Sequence, residues 1–401
     1  MNKTDLYLLH LLRCALCGAE PEAWDGIDLR RLVYLAEKQG LLSLLSGTFE
    51  RLDGMPEELR AAVKRRTAKL RAKEKFRNIY LTDLCLKLEA ERLYVMPLKG
   101  FVIKNLYPEP WMREMNDVDI LIEKDKADEV KALLEKEGYV YDHDSLHEIV
   151  YNLDPFINLE LHTSAISYYY KGIYTHFEDA LERSVPLDGH EYIRVMTPPD
   201  LYVHTLTHFA MHYCTAGGGI KPVVDLWLIK HKHDLDMEYV GARLKALGLE
   251  KFESVISHLA SVWFEGAEHT PETQQTERLM LLNSAYGSTE DYTMLRFYRI
   301  AENDSSRLVK RFKVLKSVMF MKPATLAVKY PGLRHRPYLY PFYTVYRWFD
   351  ILKRRGGEVG RMARVTMSGK GSAYDKRLKE VIENNKMMGF KKDFFDDTFY
   401  E

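Results

Sequence analysis

Residues 97–123, PLKGFVIKNLYPEPWMREMNDVDILIE, decide how this chain is read. Asp117 and Asp119 stand at i and i+2 in DVDILIE, which alternates polar and aliphatic residues as a half-buried strand does. Aspartate is depleted inside strands, and period-two geometry puts both carboxylates on one face. Two like charges side by side repel, so the pair is expected to enclose a cation or a partner such as Arg113. Magnesium suits such a pair, taking a few carboxylate oxygens and filling its remaining positions with water and phosphate. A two-metal site needs a third carboxylate from another strand. Glu160, in INLELHT, is placed for it by alternation, since Leu159 and Leu161 face the other way. His162 is expected on the sheet face opposite Glu160, so a metal role for it requires a bulge.

Around this segment, LYVMPLKG (93–100) reads as a strand ended by Gly100, and FVIKNLY as a helical turn before the breakers Pro108 and Pro110. KADEVKALLEKEG is a helix stopped by Gly138, and YVYD, HEIVYNL and INLELHT are three further short strands. Residues 1–90 are helical, with a long, charged, proline-free amphipathic pattern from Glu57 to Glu91. Helical patterning resumes after Thr197, Pro198 and Pro199 and continues to about residue 300. The expected class is α+β: a small mixed β-sheet core flanked by N-terminal and C-terminal helical regions. The expected division is a helical region at 1–90, an α/β core at 91–195, a helical domain closing a cleft at 196–305, and a basic, Tyr/Pro-rich region at 306–401.

Composition agrees with a folded protein. The 401 residues are 46% hydrophobic and 12% aromatic, enough apolar surface to offset the entropy of ordering. Lys plus Arg and Asp plus Glu both number 58, which argues against a wholly basic nucleic-acid coat. Net zero conceals an asymmetry: Ser306–Lys370 holds sixteen Lys and Arg against Asp350 and Glu358, so it is +14 and the remainder −14. No run of about 18 apolar residues predicts a membrane span. The four cysteines fit a reducing, cytoplasmic setting, and the lone Cys14–Cys17 pair is better explained by helical spacing than by zinc.

The order LKG, YPEPWMR, DVDILI, ELH resembles the uncharacterised bacterial nucleotidyltransferase family (nucleotidyltransferase family 5) of the polymerase-β-like superfamily, over about residues 70–230. That resemblance implies a small mixed sheet in which a glycine turn after the first strand holds nucleotide phosphates and strand carboxylates bind two Mg²⁺ ions. By position, Lys99 and Gly100 occupy the phosphate turn, Asp117 and Asp119 match the paired metal ligands, Glu160 the third carboxylate, and Arg113 the arginine before the pair. The superfamily turn is usually Gly-Ser or Gly-Gly, whereas Phe101 follows Gly100 here, leaving Lys99 and backbone amides to meet phosphate. The implied reaction is Mg²⁺-dependent transfer of an NMP from an NTP to a hydroxyl-bearing acceptor. The alternative that Phe101 raises is a non-catalytic nucleotide- or RNA-binding module on the same fold.

His204, His208 and His212 recur every four residues, which stacks them on one helix face. HFAMH lacks the glutamate of a metalloprotease HExxH, so the stripe reads as packing rather than zinc. His208, with Lys221 and Asp225 across the Gly217–Gly219 loop, is assigned to the helical half that closes over the nucleotide, as the resemblance implies; TAGGGIKP itself reads as a helix–helix connection. The basic Arg307–Lys370 stretch has two readings. It is a surface for RNA or another polyanionic acceptor, with Tyr338, Tyr340, Tyr343, Tyr346 and Trp348 stacking on bases, or it packs over the acidic remainder with its aromatics in the core.

Overall fold

Alternation in two segments far apart in sequence builds the centre of the molecule. In the computed structural model, which describes residues 2–144, 148–154, 156–167, 170–285, 332–349 and 373–390 together with Phe320, Pro323, Leu326 and Tyr330, strands β1 (Val95–Pro97), β2 (Val118–Ile122), β3 (Val140–Asp144), β4 (Glu148–Leu153) and β5 (Ile157–His162) form one sheet. Their order is β1-β2-β5-β4-β3, with β2 and β5 parallel and the other neighbours antiparallel. These are the five strands expected from the sequence, in a mixed sheet. Val118, Ile120 and Ile122 of β2 and Leu159 and Leu161 of β5 face one way into an apolar cluster. The opposite face carries Asp119, Leu121, Glu160 and His162.

Four helices precede the sheet: α1 (Lys3–Cys17), α2 (Leu29–Lys38), α3 (Leu42–Arg51) and the 34-residue α4 (Glu57–Ala90). Leu81, Leu84 and Leu88 of α4, with Val130 and Leu134 of α6 (Ala127–Lys136), cover the apolar sheet face. The short α5 (Lys99–Ile103) leaves β1 directly. After β5 come α7 (Lys171–Tyr174) and a two-stranded ribbon, β6 (Val185–Pro186) with β7 (Arg194–Val195). The sequence reading placed no strand there, since two residues are too few to show a period. The chain beside this ribbon covers the free edge of β1, where Val95 N–H donates to the Tyr192 carbonyl at 3.0 Å.

Helices α8 (Pro198–Ala216), α9 (Lys221–Lys232), α10 (Met237–Leu247), α11 (Glu250–Glu265) and α12 (Pro271–Leu282) follow. Thr197 caps α8 by accepting from Asp200 N–H, and the prolines sit in the first turn, where no N–H partner is needed. Helices α1–α3 and α8–α11 share a second apolar cluster, with Leu8, Leu12, Leu45 and Phe49 buried alongside Leu206, Phe209, Phe252 and Leu259. The helix Ala373–Met387 returns to α8, with Asn385 Nδ2 donating to the Cys214 carbonyl at 3.1 Å. No helix among the described residues is long and apolar enough to cross a membrane.

Most of the basic Arg307–Lys370 stretch lies outside the described residues. Of its described aromatics, Tyr340 and Tyr343 pack with Tyr330 on Leu326 and Leu333, Tyr346 meets the Tyr330 ring edge-on, and Tyr338 is 74% exposed.

Candidate active site

The parallel β2–β5 ladder pairs Asp119 with Glu160 and Leu121 with His162. Leu98 N–H donates to the Asp119 carbonyl at 2.9 Å, which brings the next residue, Lys99, over the same strand. Lys99 has φ 46°, a left-handed conformation that costs a non-glycine residue about 1–2 kcal/mol. Its Nζ lies 2.7 Å from Asp119 Oδ1, and His162 Nε2 lies 2.8 Å from the same oxygen and 3.7 Å from Glu160 Oε2. Ligand atoms of Asp119, Glu160 and His162 all fall within 4.8 Å of one another. Asp117, half-buried just before β2, faces the same cavity.

Two expectations need correction. His162 does not oppose Glu160: Leu161 separates them, so period-two alternation itself puts both on one face, and β5 needs no bulge to do so. The cation beside the aspartates is Lys99, on Asp119, rather than Arg113. Arg113 is instead held in a buried bidentate pair with Asp225, Nε to Oδ1 at 2.9 Å and Nη2 to Oδ2 at 2.7 Å, and Tyr107 Oη donates to the same carboxylate at 2.7 Å. The planar guanidinium fork suits this geometry. It ties the loop before β2 to α9.

The electrostatics follow from this packing. Burial opposes charge on Asp119, but the Lys99 ammonium and His162 outweigh it and hold the carboxyl well below the usual range. Burial likewise opposes charge on Lys99 and His162, and contact with Asp119 raises both. Glu160 is pushed up, first by burial and then by the Asp119, Glu148 and Asp117 carboxylates, with His162 pulling the other way. The cluster therefore holds more negative charge than its own cations balance. Three hard carboxylates with that surplus fit a divalent cation that prefers oxygen, while His162 serves as a hydrogen-bond donor to Asp119.

The cavity above this floor has a volume of about 300 Å³. Of the nine residues singled out in the sequence, Lys99, Gly100, Arg113, Asp117, Asp119, Glu160, His208 and Asp225 line it. Lys221 does not: it is buried and its Nζ donates to the Glu114 carbonyl at 2.6 Å. Phe101 is also outside the lining, with its ring centroid 3.4 Å from Lys104 Nζ. The opposite wall is α8, which contributes Thr205, His208 and His212, whereas His204 sits deeper and its Nε2 meets the Ala165 carbonyl at 3.0 Å. Burial, then the Lys99 charge, keeps His208 and His212 neutral, His212 with its pKa lowered to about 4. TAGGGIKP is packed rather than open: a Cβ on Gly219 would lie 2.2 Å from Gln39 Oε1, and Ile220 N–H donates to that oxygen at 2.9 Å.

Gly100 is required by close approach. A Cβ there would lie 2.3 Å from Arg113 Nη1 and 2.6 Å from Met115 Sδ. Met115 can move, but Arg113 is pinned by Asp225. Gly100→Ala is therefore expected to cost about 1–3 kcal/mol by overpacking, read as a lower urea midpoint, and to displace Arg113 in the cavity wall. An unchanged midpoint would show that the wall yields freely.

Sequence reasoning missed Glu148 and Arg77. Glu148 pairs with His162 across β4–β5 and lines the cavity, a position its own strand alternation signals. Arg77 carried no signal, being one more base on a charged helix. It is nevertheless buried, with Nη1 donating to the Met115 carbonyl at 2.6 Å, Nη2 to the Asn116 carbonyl, and Nε to the Phe156 carbonyl at 3.1 Å. These bonds clamp the loop leading into Asp117 against the β4–β5 turn.

Comparison with known proteins accords with this geometry. No curated protein matches the chain. A family model described as an uncharacterised nucleotidyltransferase matches residues 25–265, which span α2 to α11 and include every residue of the cavity. The chain thus belongs to that uncharacterised nucleotidyltransferase family, a family of transferases that take an NTP as substrate.

Proposed function

We propose that the protein transfers an NMP from an NTP to a hydroxyl-bearing acceptor in the cavity between the sheet and α8, with Asp117, Asp119 and Glu160 holding two Mg²⁺ ions. The observation that carries this reading is the β2–β5 register, which sets Asp119 beside Glu160 with Lys99 on the same oxygen cluster. The bound ions would polarise the α-phosphate and acidify the acceptor hydroxyl. The hydroxyl oxygen forms the new bond to the α-phosphorus, the bond to the β-phosphate bridging oxygen breaks with its electron pair, and pyrophosphate leaves. The hydroxyl proton passes to Glu160 and then to water.

Lys99 fixes the orientation of Asp119 and, with Gly100, receives the phosphates. Arg113 and Asp225 act through each other as positioning residues for the wall. His208 and His212, neutral through burial, offer hydrogen bonds to the nucleoside without adding charge.

The test is pyrophosphate release from α-labelled NTP with Mg²⁺. Asp117→Asn is expected to lower it about a thousandfold while leaving the urea midpoint intact, because Asp117 makes no ion pair among the described residues. Retained turnover in that variant would sink the assignment. Thermal stabilisation by NTP and Mg²⁺ with no pyrophosphate release from the wild type would favour the non-catalytic binding module instead.

A further inference from the structure

Helix α4 carries nine Lys and Arg between Arg60 and Arg77 against one acidic residue, Glu74. Glu74 is buried and its Oε1 already accepts from Lys104 Nζ at 2.6 Å, so it neutralises none of the outward charge. Lys64, Arg65, Arg66, Lys69, Arg71 and Lys75 are exposed. Among the described residues, Arg66 is the one of these six with a carboxylate partner, Glu37 at 3.3 Å in solvent.

Arg77 fixes where this helix lies, because its bonds to the Met115 and Asn116 carbonyls place it immediately behind Asp117. Lys73, Lys69 and Arg66 lie three or four residues apart on one side of the helix, and at 1.5 Å per residue they stand about 6, 12 and 17 Å from Arg77 along the axis. Lys73 is half-buried and within electrostatic reach of Asp117, Arg77, Arg66 and Lys69. A row of cations thus starts behind the Met115–Asp117 stretch of the cavity lining and leads away from it. One triphosphate cannot use such a row, and its phosphates already have Lys99. A chain of phosphates can. The exposed apolar residues between Arg60 and Arg77 are alanines, Ala62, Ala68 and Ala72, so the face offers a membrane nothing to insert.

We infer that the acceptor is a single-stranded nucleic acid whose backbone phosphates run along Lys73, Lys69 and Arg66, with its terminal hydroxyl entering the cavity beside Asp117. This rests on the nucleotidyl-transfer reading, to which it adds the acceptor class and moves the binding surface from the C-terminal basic stretch to α4.

The test measures binding of a labelled single-stranded RNA of mixed sequence to the full chain by anisotropy across a potassium chloride series, with no NTP present. Each phosphate contact adds about 0.7 to the log–log salt slope for a single strand. The Arg66→Ala/Lys69→Ala/Lys73→Ala variant should therefore lower the slope by about 2 and weaken binding at low salt at least about tenfold, with a urea midpoint close to wild type. An unchanged slope overturns the inference. So does a loss carried instead by Lys353→Ala/Arg354→Ala/Arg355→Ala, which would assign binding to the C-terminal basic stretch, or a preference for phosphatidylserine vesicles over RNA. Because the assay needs no turnover, its failure is separable from failure of the transfer reaction, which pyrophosphate release reads independently.

Discussion

Asp119→Asn is expected to abolish nucleotidyl transfer and to destabilise the fold in the same stroke, whereas Asp117→Asn removes activity alone. The two aspartates are two residues apart but have different physical jobs. Asp119 is buried, and its Oδ1 takes both Lys99 Nζ at 2.7 Å and His162 Nε2 at 2.8 Å. An amide there leaves a mostly buried ammonium without its counter-charge. Removing one member of a buried pair typically costs about 3–5 kcal/mol, and the 21% exposure of the Lys99 side chain brings the expectation to about 2–3 kcal/mol through solvent screening. Equilibrium urea unfolding of both variants, beside pyrophosphate release, checks the contrast. Equal stability in the two would mean that Lys99 finds solvent or another acceptor when Asp119 is neutral. Lys99→Met should then recover part of the stability lost in Asp119→Asn without recovering activity, because two apolar or neutral groups leave no buried charge.

The second large effect is expected at the other end of the cavity. Asp225→Ala strands Arg113, and both side chains are at most 5% exposed, so the loss should be about 3–5 kcal/mol. Tyr107 loses its acceptor as well. In any folded fraction the KM for NTP should rise more than kcat falls, since the pair shapes the wall rather than touching the reacting phosphorus. The double variant Arg113→Met/Asp225→Leu separates the two roles: it should recover most of the stability and none of the NTP affinity. Recovery of both would reduce the pair to packing. A kcat loss with unchanged KM would place Arg113 in the transition state instead.

Legibility in the sequence followed periodicity. β2 and β5 could be recognised because aliphatic residues alternate with carboxylates, and the same alternation put Asp119 and Glu160 on one face before any register was known. His162 is equally legible from Glu-Leu-His, because one intervening residue returns the alternation to the face of Glu160. α4 was evident as a long proline-free pattern, yet its buried Arg77 looked like every other base on it, since nothing local distinguishes a guanidinium bonded to three carbonyls from a solvated one. The neighbour of Arg113 is not legible: its bidentate partner Asp225 lies 112 residues away, and pairings at that separation depend on how α9 docks. The ribbon of β6 and β7 has two residues per strand and no period to read.

Helix α4 belongs to both apolar clusters. Val63, near its start, packs with α1–α3 and the helices after the sheet, while Leu81, Leu84 and Leu88 pack under the sheet. Between them lie the buried Glu74–Lys104 pair and Arg77. Neither cluster can come apart without fraying the one rod that runs through both, so local opening in one core is transmitted along about 51 Å of helix to the other. The two clusters should then unfold in a single cooperative step, and amides on opposite sides of the cavity should share one ceiling of hydrogen-exchange protection.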